Sequence, residues 1–336
     1  VMRSSPVRRR GLLAGSAAIL LPAQSGAQPQ RLEGVRRLGA LMAGSAADPL
    51  WKGFADLFVQ TLGGLGWRAG DNLAIEWRWA AGEGALFERH ASELVALAPD
   101  VLFCQTSPAT AALLRATRTI PIVFARVTDP VGQGFVRSLA HPGGNATGFA
   151  DYDPPLAGKW LSMLAQLSPK VTRTTALYNP ATAPYAGLML RALEAIAPSF
   201  RITLHTSTIE HESEIEPAIA RIAQDKGASV LALPHIFTAV RRATILAAVG
   251  RHRLPAVYAD RFITEAGGLM SYGIDPGDLI RRAAVYVDRV LDGSKPADLP
   301  VQNPTRFVLA INLRAAKEIG ATVAPTLVAS ADEVFE

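Results

Sequence analysis

From Val35 onward, short apolar runs alternate with helix-period stretches, and few folds accommodate that order. The spacing predicts strands at Arg37–Met42, Leu73–Trp79, Val101–Gln105, Ile122–Arg126 and Ala146–Ala150. A second series follows at Thr174–Tyr178, Ile202–Thr206, Val230–Leu233, Ala256–Tyr258 and Leu269–Tyr272. Between them, Leu50, Phe54, Leu57, Phe58 and Leu62 share one helical face, as do Trp160, Met163, Leu164 and Leu167. Strands separated by helices of this length build parallel sheets from βαβ units. The plan runs twice, with a break at DYDPP, residues 151–155. We therefore expect an α/β protein of two Rossmann-like lobes, each a parallel sheet flanked by helices.

Further breaks at Tyr258–Gly268 and Pro296–Pro304 predict that the chain crosses between lobes more than once, forming a multi-strand hinge. The expected boundaries are 35–150 plus 262–298 for lobe 1, and 151–261 plus 299–332 for lobe 2. The crossings are expected near Asp151, Arg261 and Gln302. The tail Phe307–Ala329 reads as a strand followed by a helix.

Residues 1–27 read as an export signal: Arg8-Arg9-Arg10, then the apolar run GLLAGSAAILLP, then small residues before a cut near Ala27/Gln28. The run is too short to span a bilayer, which takes roughly 20 apolar residues. The Arg9-Arg10 pair leaves the Sec and twin-arginine routes both open. No cysteine follows the run, so no lipid anchor is expected, and the mature chain is expected in the periplasm. Residues 1–27 carry four arginines, Arg3 included, and no acid, so without them the formal charge falls from +5 to +1. Such a balance gives no basic surface for nucleic acid.

Cys104 is the single cysteine, which excludes an intrachain disulfide framework. The chain lacks a GxSxG elbow, a GxxxxGK[ST] loop and an HExxH helix. Gly132-Gln133-Gly134 lacks the third glycine of a dinucleotide fingerprint, and Pro154-Pro155 breaks the start of a calcium loop at Asp151 and Asp153. We assign no catalytic residue, no metal ligand and no cofactor.

In open parallel sheets, ligands bind beyond the carboxyl ends of the strands. Those ends here carry small and polar residues: Ala43-Gly44-Ser45, Gln105-Thr106-Ser107-Pro108, Val127-Thr128-Asp129-Pro130, Tyr178-Asn179-Pro180, Pro234-His235 and Tyr258-Ala259-Asp260. Ser107 before Pro108 forms a helix start, where free N–H groups can hold a carboxylate.

Several stretches together resemble a known family: LVALAPD (94–100), ATRTIPIV (116–123), TDPVGQGFV (128–136), SLAHPGGNATGF (138–149), YNPATAPYA (178–186), HRLPAVY (252–258), GLMSYGID (268–275) and DLPVQNP (298–304). The chain resembles the ABC transporter substrate-binding proteins that include tryptophan- and tyrosine-binding members, with a type I periplasmic-binding fold. That resemblance implies two lobes closing over a small ligand, a permease in the inner membrane as partner, no enzymatic activity and a monomer. It also implies a cleft lined by Ser45, Asp48, Thr106, Ser107, Thr128, Asp129, Tyr152, Asn179, Tyr185, His235, Asp260 and Tyr272. The expected ligand bears a carboxylate at Ser107–Ala109, with Asp129 facing its amine or hydroxyl, and Tyr185 and Tyr272 packing on its apolar part. The alternatives are a periplasmic ligand-sensing subunit of a signalling system and, further off, a periplasmic enzyme using Asp129 with Asp260.

Overall fold

The structure is a computed structural model that describes residues 34–152, 156–167 and 170–336. The expected signal at 1–27 lies outside them. Among the described residues, twelve strands form two sheets. In the first sheet lie β1 (Arg36–Met42), β2 (Leu73–Trp79), β3 (Val101–Gln105), β4 (Ile122–Val127) and β5 (Ala146–Ala150), in the order β2-β1-β3-β4-β5. All their pairings are parallel. In the second lie β6 (Arg173–Tyr178), β7 (Thr203–Thr208), β8 (Ala228–Ala232), β9 (Ala256–Tyr258), β10 (Met270–Ile274), β11 (Phe307–Asn312) and β12 (Glu333–Phe335). Their order is β12-β11-β10-β9-β8-β6-β7, and the β10–β11 pairing is antiparallel. The doubly wound α/β architecture therefore stands, with one antiparallel step that the short apolar runs did not disclose.

The central strands β3, β4 and β8, and the edge strand β5, are buried along their whole length. Helices on both faces explain this, and it is why these runs read as continuous apolar segments rather than alternating ones. On one face, the helix Pro49–Gly64 buries Trp51, Phe54, Phe58 and Leu62. Phe58 stacks on Phe103 of β3 with ring centroids 4.1 Å apart. Asp48 caps this helix by accepting from the Leu50 N–H, with Pro49 at the first turn.

The crossings differ from the sequence boundaries in two places. Met270–Ile274 pairs with β9 and β11, so residues 262–274 stay with the second sheet. The break near Arg261 is a five-residue helix, Arg261–Glu265, that joins two neighbouring parallel strands instead of two lobes. The chain crosses after Ile274 and enters the helix Pro276–Leu291. That helix packs on the first sheet, with Tyr286 tilted against Phe149 at 4.7 Å and Asp288 accepting from the Trp67 indole at 2.8 Å. Residues 299–302 also stay with the first sheet, because Val301 donates to the Leu139 carbonyl and Gln302 bridges Phe149.

Candidate ligand cleft

The carboxyl ends of the two sheets face each other, and among the described residues three ion pairs join them. At one edge, Arg242 makes a bidentate pair with Asp48, both bonds 2.8 Å. Beside it Arg241 reaches Glu83 at 3.3 Å. In the middle, Arg126 Nη2 donates to Asp260 Oδ1 at 2.8 Å. The two side chains of that central pair are only 6% and 4% exposed. Arg126 also lies over the Phe262 ring, 5.9 Å from its centroid. The lobes thus meet through charges carried on both sides.

The backbone around the central pair is strained. Thr106 (φ 75°), Arg126 (φ 59°) and Asp129 (φ 45°) follow or end β3 and β4 with positive φ, although none is glycine. A β-branched threonine in that region is a genuine outlier, and strain of this kind gathers where a chain must aim groups at a ligand. At Arg126 the β4–β5 register shifts between Phe124 and Val127, which turns the guanidinium out of the sheet toward the second lobe.

The first-lobe wall holds buried polar atoms with no protein partner among the described residues. They are Gln105 Nε2 and Oε1, Thr106 Oγ1, and Arg126 Nε and Nη1. Most buried polar groups in folded proteins are paired, because leaving one unpaired costs about 1–3 kcal/mol. A concentration of them at adjacent strand ends therefore marks groups arranged for something other than the fold.

Around them, Thr128 donates its hydroxyl to Asp151 Oδ1 at 2.7 Å. Burial pushes the Asp151 carboxyl up, while the nearby Arg126 charge and the Thr128 bond pull the other way. Ser107 Oγ accepts from the Thr128 N–H at 3.3 Å and from Gln133 Nε2 at 2.9 Å, tying the β3 loop to the β4 loop. From the second lobe, the Tyr185 hydroxyl donates to the Pro234 carbonyl at 3.1 Å. Burial raises its pKa, and the neighbouring Asp151 raises it further.

The other expected residues are placed differently. Asp129 accepts the Gly132 N–H at 2.8 Å within its own turn. Asn179 accepts from the N–H groups of Ala181 and Thr182 and donates to the Glu210 carbonyl. His235 Nε2 accepts from the Asn179 N–H at 3.3 Å, and burial pushes the imidazole down to about 3, so the ring is neutral. Ser45 accepts from Ala47 N–H at the edge near Asp48. Tyr272 stacks on Phe307 at 6.0 Å, and its carbonyl receives the Trp160 indole N–H. Tyr152 lies 6.2 Å from the Trp160 ring.

Tyr152 and Asp129 also line a crevice of about 310 Å³ with Val131, Leu139, Leu188 and Asn303. A larger cavity, about 650 Å³, lies beside Val171, Gly227 and Pro255. It sits at the amino ends of β6, β8 and β9, the opposite end from where open α/β sheets bind ligands. Among the described residues, no group of three or more His, Cys, Asp or Glu is placed to hold a metal ion. No described helix is long and apolar enough to cross a membrane.

Arg126 and Gln105 were not among the site residues expected from sequence, and Asp151 was expected at the first crossing, where it could serve hinge, ligand or both. One signal was available for Arg126: a lone charge inside the apolar run IVFARV. A charge in a buried strand requires a partner, and Asp260 is that partner.

The comparisons with known proteins agree with this architecture. The "Tyrosine-binding protein" of Clostridioides difficile (strain R20291) is 28% identical over 256 residues, 76% of this chain and 73% of that one. An ABC-domain protein from Streptococcus pneumonia, solved in complex with L-Trp, superposes with a TM-score of 0.83 at 25% identity, covering 90% of this chain and 100% of that one. A conserved domain protein from Vibrio cholerae gives 0.83 at 28% identity, covering 89% and 99%. The family model for ABC transporter substrate-binding proteins matches residues 41–335. Members of that family bind small solutes, work with ABC transporter permeases and are not enzymes, and this chain belongs to it.

Proposed function

We propose that this chain is the extracytoplasmic solute-capturing component of an ABC importer, and that it holds a small carboxylate-bearing ligand between its two lobes. The observation that carries this reading is the set of unpaired buried atoms of Gln105, Thr106 and Arg126 at the ends of β3 and β4. The guanidinium and the Thr106 hydroxyl suit carboxylate oxygens, and charge-assisted bonds to arginine are among the strongest available in a desolvated site. The helix Ser107–Ala116 starts beside them and adds its positive end. The contact set we assign is Gln105, Thr106, Arg126, Thr128, Asp151, Tyr185 and Asp260. Ser107 supports it by fixing the two loops. Relatives that bind tyrosine or carry L-Trp support a ligand with a planar apolar part, which the crevice beside Tyr152 and Leu188 suits.

On this reading the lobes move as rigid bodies about the crossings near Asp151, Ile274 and Gln302, and ligand stabilises the closed form. Two measurements test it. Mass spectrometry of small molecules released from purified protein is expected to yield one carboxylate-bearing species in stoichiometric amount. Adding that species back to stripped protein is expected to compact the molecule in solution scattering and raise its melting temperature. A bound species without a carboxylate, no compaction at saturation, or turnover of the ligand would each defeat the reading.

A further inference from the structure

We propose that the cleft selects an organic acid lacking an ammonium group beside its carboxylate, because Arg126 occupies Asp260 from within the chain. This rests on the reading of the cleft as the ligand site and narrows the ligand class there.

An α-amino acid brings two charges, so its ammonium needs a buried negative group with free acceptor capacity. Asp48 and Glu83 at the edge of the cleft are paired with Arg242 and Arg241, and three further acids stand near Arg126 and the β4 loop. Asp260 is paired with Arg126 at 2.8 Å, deep in the closed interface. Asp129 is turned to the Gly132 N–H, and its carboxylate fills the space in which a side chain at Gly132 would stand. Asp151 accepts the Thr128 hydroxyl at 2.7 Å, and burial pushes its carboxyl toward the neutral form.

The atoms left unpaired are mostly donors: Arg126 Nε and Nη1, Gln105 Nε2 and the Thr106 hydroxyl, against Gln105 Oε1 as a neutral acceptor. An ammonium entering this set would meet the guanidinium charge without a carboxylate to offset its desolvation. A carboxylate would meet donors on every side and leave Arg126 between two negative groups. The chain thus supplies from its own side chain the cation that an amino acid would otherwise bring.

The experiment is calorimetric titration of the intact protein with matched pairs that differ only in the amino group. The pairs are L-tryptophan with indolepropionate, L-tyrosine with hydroxyphenylpropionate, L-leucine with isocaproate, and L-glutamate with glutarate. In the pairs that bind, the acid without the amine is expected to bind roughly tenfold tighter or more. Arg126→Gln frees Asp260 and should reverse that order. Asp260→Asn should strengthen acid binding, because the incoming carboxylate then becomes the main counter-charge to Arg126. Equal or tighter binding of the amino acid, abolished by Asp260→Asn, overturns the inference while leaving the cleft as the ligand site. Binding unchanged in both variants places the ligand elsewhere and overturns the reading beneath it. Silence across all pairs overturns the carboxylate class itself.

Discussion

The two walls of the cleft solve the problem of buried polar groups in opposite ways. On the second lobe, Asn179, Thr182, His235 and Tyr185 bond mainly to one another or to nearby backbone. On the first lobe, Gln105, Thr106 and most of Arg126 are buried without partners, and Thr106 and Arg126 are held at positive φ. Apart from the buried Tyr258 hydroxyl, the second wall is finished as protein, whereas the first keeps the unpaired groups on which the proposed ligand site rests. A rigid, satisfied surface makes a good lid, and an unsatisfied, strained one makes a good receptor.

Four measurements would break or sharpen that contrast. The largest effect is expected at Arg126. Arg126→Met should weaken ligand binding roughly 100-fold or more, since truncating one partner of a buried charged contact costs about 2–5 kcal/mol. Calorimetry with the ligand recovered from the protein reads it directly, and a change below fivefold in a folded variant would remove Arg126 from the receptor wall.

On the lid, acid should act through His235. Its imidazole falls from 6.5 in the unfolded chain to about 3 in the fold, because burial disfavours the charged ring. The unfolded chain therefore binds more protons between those values, and stability falls as pH drops through that window. The slope from this residue approaches ~1.4 kcal/mol per pH unit. Chemical denaturation from pH 7 to 4 should show a steeper loss in the wild type than in His235→Gln. Parallel curves would mean that the ring gains a partner when protonated.

Asn179→Ala should cost about 1–2 kcal/mol, because it leaves the Ala181 and Thr182 N–H groups and the Glu210 carbonyl without their side-chain partner. Ligand affinity should move by less than about threefold, as expected of a lid held together internally. A larger loss of affinity than of stability would make Asn179 a receptor group after all.

The smallest effect is expected at the edge of the cleft. Arg242→Ala removes the bidentate pair with Asp48 while sparing the cap that Asp48 provides to the helix Pro49–Gly64. Both side chains are 20% exposed, so the pair is worth about 1 kcal/mol or less, and affinity should drop two- to fivefold. The wild-type advantage should shrink as salt rises. Salt-independent affinity in both proteins would show that this pair does not help hold the lobes closed.

Much of the fold was legible because strand periodicity and helix spacing are local properties. The ten expected strands correspond to β1–β10, with ends shifted by a few residues at most. The site was legible only by position. Thr106, Ser107, Thr128, Tyr185 and Asp260 come together, because strand ends of parallel sheets share one side. Asp129 and Tyr272 also follow or occupy strands, but one bonds to its own turn and the other stacks on Phe307. A residue name at a strand end does not say which way its side chain turns.

The sequence by itself determined the doubly wound plan, the residues that stand at the carboxyl ends of the strands, and the absence of familiar catalytic motifs. These follow from apolar period, helix starts and motif spacing, all readable within a few neighbouring residues. Only the tertiary structure decided that residues 262–274 remain in the second sheet, and that Arg126 leaves β4 to meet Asp260 across 134 positions of chain. Strand pairing and the partner of a buried charge depend on contacts between distant segments. No local pattern encodes which of several acids will be the one within 2.8 Å.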